Sequence, residues 1–232
     1  MNWDLLERYG VQILGGLNVT ISLVAISVTL GAILALPVAL ARISDNRLLR
    51  GASFAYVYFF RGTPLLAQTF LVYYGAGQFR AELEAVGLWW LFYDAFLCAV
   101  ITFTLNTAAY QAEILRGAIQ SVPVGQSEAA AALGLRPSVI LRKVVLPQAF
   151  VIALRPLGNE LILMIKGSAI ASVITVYELM GTTRLAFSRS FDFEVYLWAA
   201  VLYLILVEVI RRIWERLEVR ITRHMRPANA RA

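Results

Sequence analysis

The sequence is poor in the side chains on which most enzymes depend. It holds one histidine, His224, and one cysteine, Cys98. That histidine lies in a basic tail, so neither a Ser-His-Asp triad nor a histidine metal site can be assembled. A single cysteine excludes an intramolecular disulfide, and Cys98 sits in an apolar run, where it reads as a packing residue. No G-x-x-x-x-G-K-[ST] loop is present, so the chain does not supply an ATPase site of the usual kind. The expectation is a protein that is not an enzyme and has no cofactor or metal, drawing energy from a partner or a gradient. Charge is scarce as well. Charged residues make up 16% of the chain and hydrophobic ones 59%, with a mean hydropathy of +0.69, too apolar for an ordinary soluble domain.

What the chain has in quantity is long apolar runs. About five of them are expected to span a membrane, each needing around 20 mostly apolar residues. The first runs from about Leu17 to Ala41, and Arg42, Arg47 and Arg50 follow it. The second lies within Ala52 to Gly77 and is interrupted by Arg61, Gly62 and Pro64, where the proline removes a helix hydrogen bond. The third, from about Trp89 to Leu115, opens on Trp89, Trp90 and Tyr93 as an aromatic belt. The fourth covers about Val151 to Val173 and the fifth about Tyr196 to Ile210. Between these two, a polar segment carries Arg184, Arg189, Asp192 and Glu194.

The net charge of +6 is not gathered on one folded face, which argues against nucleic acid as a partner. The bases concentrate in loops and in a tail with Arg211, Arg212, Arg216, Arg220, Arg223 and Arg226. By the positive-inside rule this puts the N-terminus outside and the C-terminus in the cytoplasm. Asp4 and Glu7 beside Arg8, ahead of an overlong apolar run, argue against a cleaved signal. The tail is expected to continue as a helix with Ile213, Leu217, Ile221 and Met225 on one face, and with Glu208–Arg212 and Arg211–Glu215 pairs. Such a helix suits anchorage at the anionic inner leaflet.

The most informative stretch is QSEAAAALGLRPSVILRKVVLP, from Gln126 to Pro147. Ser127 is expected to cap a short helix, with Glu128 in its first turn, where the helix dipole favours an acid. Ala129 to Ala132 are strong helix formers with little bulk, and Gly134 suits a left-handed ending. Pro137 suits the first turn of a second helix. A helix this short is unstable alone and needs a partner surface.

The spacing Glu128-Ala129-Ala130, Gly134, then Val144, Leu146 and Pro147 resembles the EAA loop of permeases in bacterial ATP-binding-cassette importers. Three further stretches share the resemblance: Arg61-Gly62-Thr63-Pro64-Leu65-Leu66, Asn106 to Tyr110 with Glu113, and Gly158-Asn159-Glu160-Leu161-Ile162-Leu163-Met164. Together they look like the polar-amino-acid branch, near permeases for histidine, basic amino acids and opines. The resemblance implies an all-α, type I importer fold in the bacterial inner membrane. Residues 1–232 would form one transmembrane permease domain, with 126–147 as its cytoplasmic coupling loop. It also implies cytoplasmic ATP-binding subunits, a second permease subunit (the same or a sister chain) and an extracytoplasmic solute-binding protein. Glu128, Ala129, Ala130 and Gly134 are the implied coupling residues. A gradient-driven secondary transporter is the alternative, although it would not need an alanine-smooth docking helix.

Glu160 is the leading candidate for contact with an amino acid substrate. It falls near the middle of the fourth span, where a charge is costly and so a functional candidate. Leu163, Met164 and Gly167 share its helical face by three- and four-residue spacing. A carboxylate there can receive an ammonium or guanidinium group; the competing reading is an internal pair with Arg155, Lys166 or another span. The resemblance implies pocket roles for Glu160, Leu163 and Gly167. Asn106 and Tyr110 read as hydrogen-bonding groups between helices. Glu113 reads as a tether for the coupling loop, and Arg61 as a partner for carbonyls freed at the helix break.

Overall fold

The computed structural model describes residues 3–223; His224, Met225 and Arg226 of the expected tail lie outside the described residues. Within them every regular element is a helix. In order these are α1 (Trp3–Arg42), α2 (Arg47–Gly62), α3 (Leu65–Gln78), α4 (Arg80–Ala85), α5 (Trp89–Tyr93) and α6 (Ala95–Gln120). There follow α7 (Val124–Ala132), α8 (Pro137–Ile140), α9 (Leu146–Gly167), α10 (Leu179–Ser190) and α11 (Glu194–Thr222). A π-turn at Leu141–Val145 joins α8 to α9, and a 3-10 segment at Ser168–Ile174 extends α9.

Among the described residues, three stretches are long and apolar enough to cross a membrane: Glu7–Arg42, Ala95–Gln120 and Pro137–Ile174. They cover the first, third and fourth expected spans. The second expected span is two helices, because the chain is extended at Thr63 and Pro64. The fifth lies within α11, whose apolar run is bounded by Glu194 and Glu208.

Boundaries differ from the sequence reading where capping intervenes. The aromatic belt occupies its own short α5, and Asp94 caps α6 by accepting from the Phe96 and Leu97 N–H groups at 2.6 and 3.1 Å. α6 therefore starts at Ala95, not Trp89. α1 starts far ahead of Leu17, and its 40 residues reach about 60 Å, twice the hydrocarbon thickness. Its early turns bury Tyr9 and Ile13 against Leu179, Ala186 and Val195. Leu179 and Ala186 belong to α10, a helix in the segment that the sequence marks only as polar. On α11, Glu208 bonds Arg212 at 2.6 Å and Arg211 bonds Glu215, the two pairs read from four-residue spacing. The two flanking carboxylates hold the Arg211 guanidinium protonated above its ordinary range.

α6 is the hub, packed against α1, α2, α3 and α9. At the Arg42 end of the bundle its contacts are mostly alanine: Ala35 and Ala39 of α1, Ala109 and Ala112 of α6, and Ala149 and Ala153 of α9 are all buried. Small side chains let helix backbones approach closely, which drives association where lipid removes the hydrophobic incentive. Further along, bulkier Leu23, Phe103, Met164 and Ile174 fill the centre, with Cys98 buried among them as a free thiol.

Glycine fits where helices press closest. A Cβ on Gly158 of α9 would lie 2.3 Å from the Nε1 of Trp214 on α11. The indole instead fills that notch and donates to the Leu154 carbonyl at 2.9 Å. Gly16 of α1 receives Thr182 of α10 in the same way.

Candidate substrate and coupling sites

Glu160 is buried on the α9 face turned to α6. Its Oε1 accepts from Thr107 Oγ1 at 3.0 Å. Thr107 Oγ1 accepts in turn from Gln111 Nε2 at 3.1 Å, and that amide also donates to the Val28 carbonyl at 3.3 Å. A chain of polar groups from α1 through α6 thus aims the carboxylate. None of the internal cations weighed from sequence pairs with it. Arg155 instead bonds Glu218 of α11 at 2.7 Å, and Lys166 is exposed. Among the described residues no ion pair reaches Glu160, and its Oε2 accepts no hydrogen bond from the chain.

Gly167 closes α9 beside Leu65 of α3, with room for ordinary contact at 3.6 Å from a Cβ. Leu163 lies 52% exposed on the outward side of α9, whereas Met164 is buried in the core. The three candidate residues therefore do not close around one enclosed cavity. Glu160 and Gly167 face the bundle, and Leu163 faces out.

The break between α2 and α3 is satisfied differently from the expectation for Arg61. Gln68 Nε2 donates to the Phe60 and Thr63 carbonyls at 2.9 and 3.0 Å. Asn106 Nδ2 joins it, donating to Phe60 O at 3.1 Å and to Gln68 Oε1 at 2.9 Å. Arg61 turns away to lie over the Tyr110 ring at 5.2 Å, so Tyr110 offers its π face to a cation. Glu113 does not reach the coupling loop either. It bonds Arg42 and Arg116, each at 2.9 Å, and so ties α6 to the end of α1.

The candidate coupling residues lie on α7 and its exit. The helix begins at Val124 after Pro123, so Ser127 does not cap it and Glu128 falls beyond the first turn. Proline at this point sets the entry angle without needing a donor, which displaces the start from the residue that looked best suited. The exit follows the sequence reading. Gly134 has φ +76°, the Gly134 N–H donates to Ala131 O at 2.9 Å, and the Leu135 N–H donates to Ala130 O at 3.2 Å. This is the paired ending that a left-handed glycine permits. Ala130 is buried in one cluster with Leu115, Ile119, Ile140 and Val145, whereas Glu128, Ala129 and Gly134 are exposed. Pro137 opens α8 at its first turn. A groove of about 420 Å³ between α7 and the start of this second helix is lined by Ser127, Glu128, Ala131, Pro137, Ile140, Leu141 and Val145.

One buried carboxylate escaped sequence reasoning. Glu178 is fully buried and caps α10 through the Gly181 N–H at 2.8 Å. It also accepts from Tyr203 Oη of α11 at 2.8 Å and from Thr20 Oγ1 of α1 at 3.2 Å. A carboxylate just ahead of Leu-Met-Gly-Thr-Thr was the one available signal, and it is weak because glutamate is a poor N-cap by preference.

Comparisons with known proteins agree with this architecture. The model of the family described as binding-protein-dependent transport system inner membrane component matches residues 27–223. The nopaline transport system permease protein NocM of Agrobacterium fabrum is 42% identical over 216 residues, covering 93% of this chain and 90% of that protein. The L-cystine transport system permease protein TcyB of Bacillus subtilis is 39% identical over 226 residues, covering 96% and 92%. Among solved structures, an amino acid ABC transporter with histidines superposes with a TM-score of 0.83 at 33% identity, covering 95% of this chain and 99% of the other. The chain therefore belongs to the binding-protein-dependent transport system inner membrane components, the permease subunits of ATP-binding-cassette importers.

Proposed function

We propose that this chain forms the translocation path for a polar amino acid or opine bearing a cationic group, in the bacterial inner membrane. The observation that carries the reading is Glu160, a buried carboxylate that one hydroxyl orients and that forms no ion pair among the described residues. With Oε1 held by Thr107, Oε2 is left for a donor from outside the chain. Such a site costs less when an ammonium or guanidinium group enters. Leu163 and Gly167, one and two turns further along the helix, border the path. The relatives named for nopaline and cystine transport support the substrate class.

A second permease subunit, identical or a sister chain, packs so that Leu163 and its exposed neighbours face the shared path. The N-terminus lies outside, the Arg42 end of α1 faces the cytoplasm, and residues 1–232 act as one permease domain. The loop 126–147 docks on cytoplasmic ATP-binding subunits through Glu128, Ala129 and the Gly134 turn, with Ala130 seating α7 on the bundle. A solute-binding protein delivers cargo from outside. Closure of the ATPases moves the docking segment and rocks the helices between outward and inward openings.

The test is ATP-driven uptake in vesicles that hold the reconstituted importer and no proton or sodium gradient. Glu160→Gln should cut uptake of a cationic substrate at least tenfold while coupling-loop function persists. Equal uptake by the variant, with unchanged substrate choice, would remove Glu160 from the path. Uptake that requires an ion gradient instead of ATP would overturn the whole mechanism.

A further inference from the structure

At the Arg42 end of the bundle, more positive charge gathers than the protein neutralises. Arg42 of α1, Arg61 of α2 and Arg116 of α6 surround Glu113 at 2.9, 3.9 and 2.9 Å. Three guanidinium groups around one carboxylate leave two positive charges over. Arg116 is fully engaged, with Glu113 on one side and Gln120 at 2.7 Å on the other. Arg42 gives only its Nε to Glu113, so its terminal nitrogens make no hydrogen bond among the described residues. Arg61 stands too far from Glu113 for a hydrogen bond, and its side chain is 44% exposed.

These free donors face a cavity of about 280 Å³ lined by Arg42, Phe54, Val57, Tyr58, Arg61 and Glu113. Its two walls differ in kind. One is cationic. The other carries the stacked rings of Phe54 and Tyr58, both exposed on α2, with Arg42 lying over Phe54 at 5.0 Å.

We propose that this cavity binds an anionic phospholipid of the cytoplasmic leaflet, its phosphate held by Arg42 and Arg61 and its acyl chains along Phe54 and Tyr58. The inference rests on the orientation in the proposed function, which puts the Arg42 end at the cytoplasmic surface. A basic pocket between membrane helices on that side is suited to an acidic headgroup. Guanidinium forks match two phosphate oxygens at once, which an ammonium cannot do. The exposed rings beside the arginines favour a phosphodiester attached to hydrocarbon over a free anion. The bound phosphate would fasten α1 to α2 where Glu113 alone cannot satisfy both.

The test is native mass spectrometry of the full chain in non-ionic detergent, titrated with dioleoyl phosphatidylglycerol, dioleoyl phosphatidylcholine or inorganic phosphate. Each unneutralised arginine should favour the acidic lipid about fivefold, so the wild type should prefer phosphatidylglycerol roughly 25-fold. Arg61→Gln should lower that preference about fivefold. If that variant does not fold, Tyr58→Glu, at a side chain 71% exposed on the cavity rim, should abolish the preference instead. Equal binding of the two lipids, or an unchanged preference in the variant, overturns the inference. Displacement of the lipid by an equal concentration of inorganic phosphate would make this a soluble-anion site and also overturn it. The readout needs neither ATPase nor substrate. A wild-type chain that shows no preference for the acidic lipid yet supports ATP-driven uptake sinks this inference alone, and a preference without ATP-driven uptake sinks only the transport reading.

Discussion

Gly158 offers the sharpest test of how α9 and α11 are held together. An added Cβ would sit 2.3 Å from Trp214 Nε1 and 2.5 Å from Cδ1. Ordinary contact needs well over 3 Å, so in Gly158→Ala the indole must withdraw by about 1 Å or more. That movement breaks its 2.9 Å hydrogen bond to Leu154 O. The lost bond costs about 1 kcal/mol and the overpacking about 2. Alanine returns about 1 kcal/mol through its better helix propensity. The net cost is about 2 kcal/mol, and the sign reverses once the tryptophan is gone. In a Trp214→Leu background the same substitution should be neutral or stabilise by up to about 1 kcal/mol. The assay is a double-mutant cycle on thermal midpoints of the full chain in detergent, with wild type, both singles and the double in one buffer. For a chain of this size the single Gly158→Ala change should lower the midpoint by about 4–8 °C. Equal loss in both backgrounds would refute the notch, because the cost would then come from somewhere other than Trp214.

Two further expectations follow from the capping geometry. Gly134→Val forces a branched side chain into φ +76°, a strain of about 1–2 kcal/mol placed at the α7 exit. ATP hydrolysis by the assembled importer should persist while uptake falls, and coupled transport at the wild-type rate would count against the docking role. Glu178→Gln replaces an acceptor that serves Gly181, Tyr203 and Thr20 with a group that must point an N–H at one of them. It should destabilise by about 1–3 kcal/mol, measured as a lower thermal midpoint, and Tyr203→Phe should reduce that penalty. A Glu178→Gln protein as stable as wild type would mean the carboxylate is already neutral or loosely held.

Features governed by one residue's own backbone were legible in the sequence. Gly134 ends α7 because a left-handed turn excludes most side chains, and Pro137 opens α8 because its missing donor is not needed there. Pro64 breaks the second apolar run for the same local reason. Partnerships between distant residues were not legible. Arg61 adjoins the break in sequence, yet Gln68 and Asn106 satisfy it, and nothing short of the packed α2–α6 contact chooses among the three. Ser127 has the better capping chemistry, but Pro123 four residues earlier fixes where α7 starts. α10 was hidden because Arg184 and Arg189 mask a helix whose Thr182, Thr183 and Ala186 are buried. For Glu160 the location was readable from the cost of a charge in an apolar run, while its release from Arg155 required seeing Glu218 take that arginine. Glu178 gave almost no warning, since its burial is made by Thr20 and Tyr203 from opposite ends of the chain.

The helical path from Pro137 through the π-turn to Ile174 is continuous, and Glu160 rides on it. At 1.5 Å per residue, the carboxylate stands about 35 Å from the proline. A rod of that length has little slack. A shove at its foot arrives at the carboxylate as travel, without any relay of side chains between them. It can give at Pro156, which removes a hydrogen bond inside α9, and at Leu141–Val145, where the winding widens. Stiffening or loosening those five residues would therefore change the gearing between the two ends while leaving both ends chemically intact.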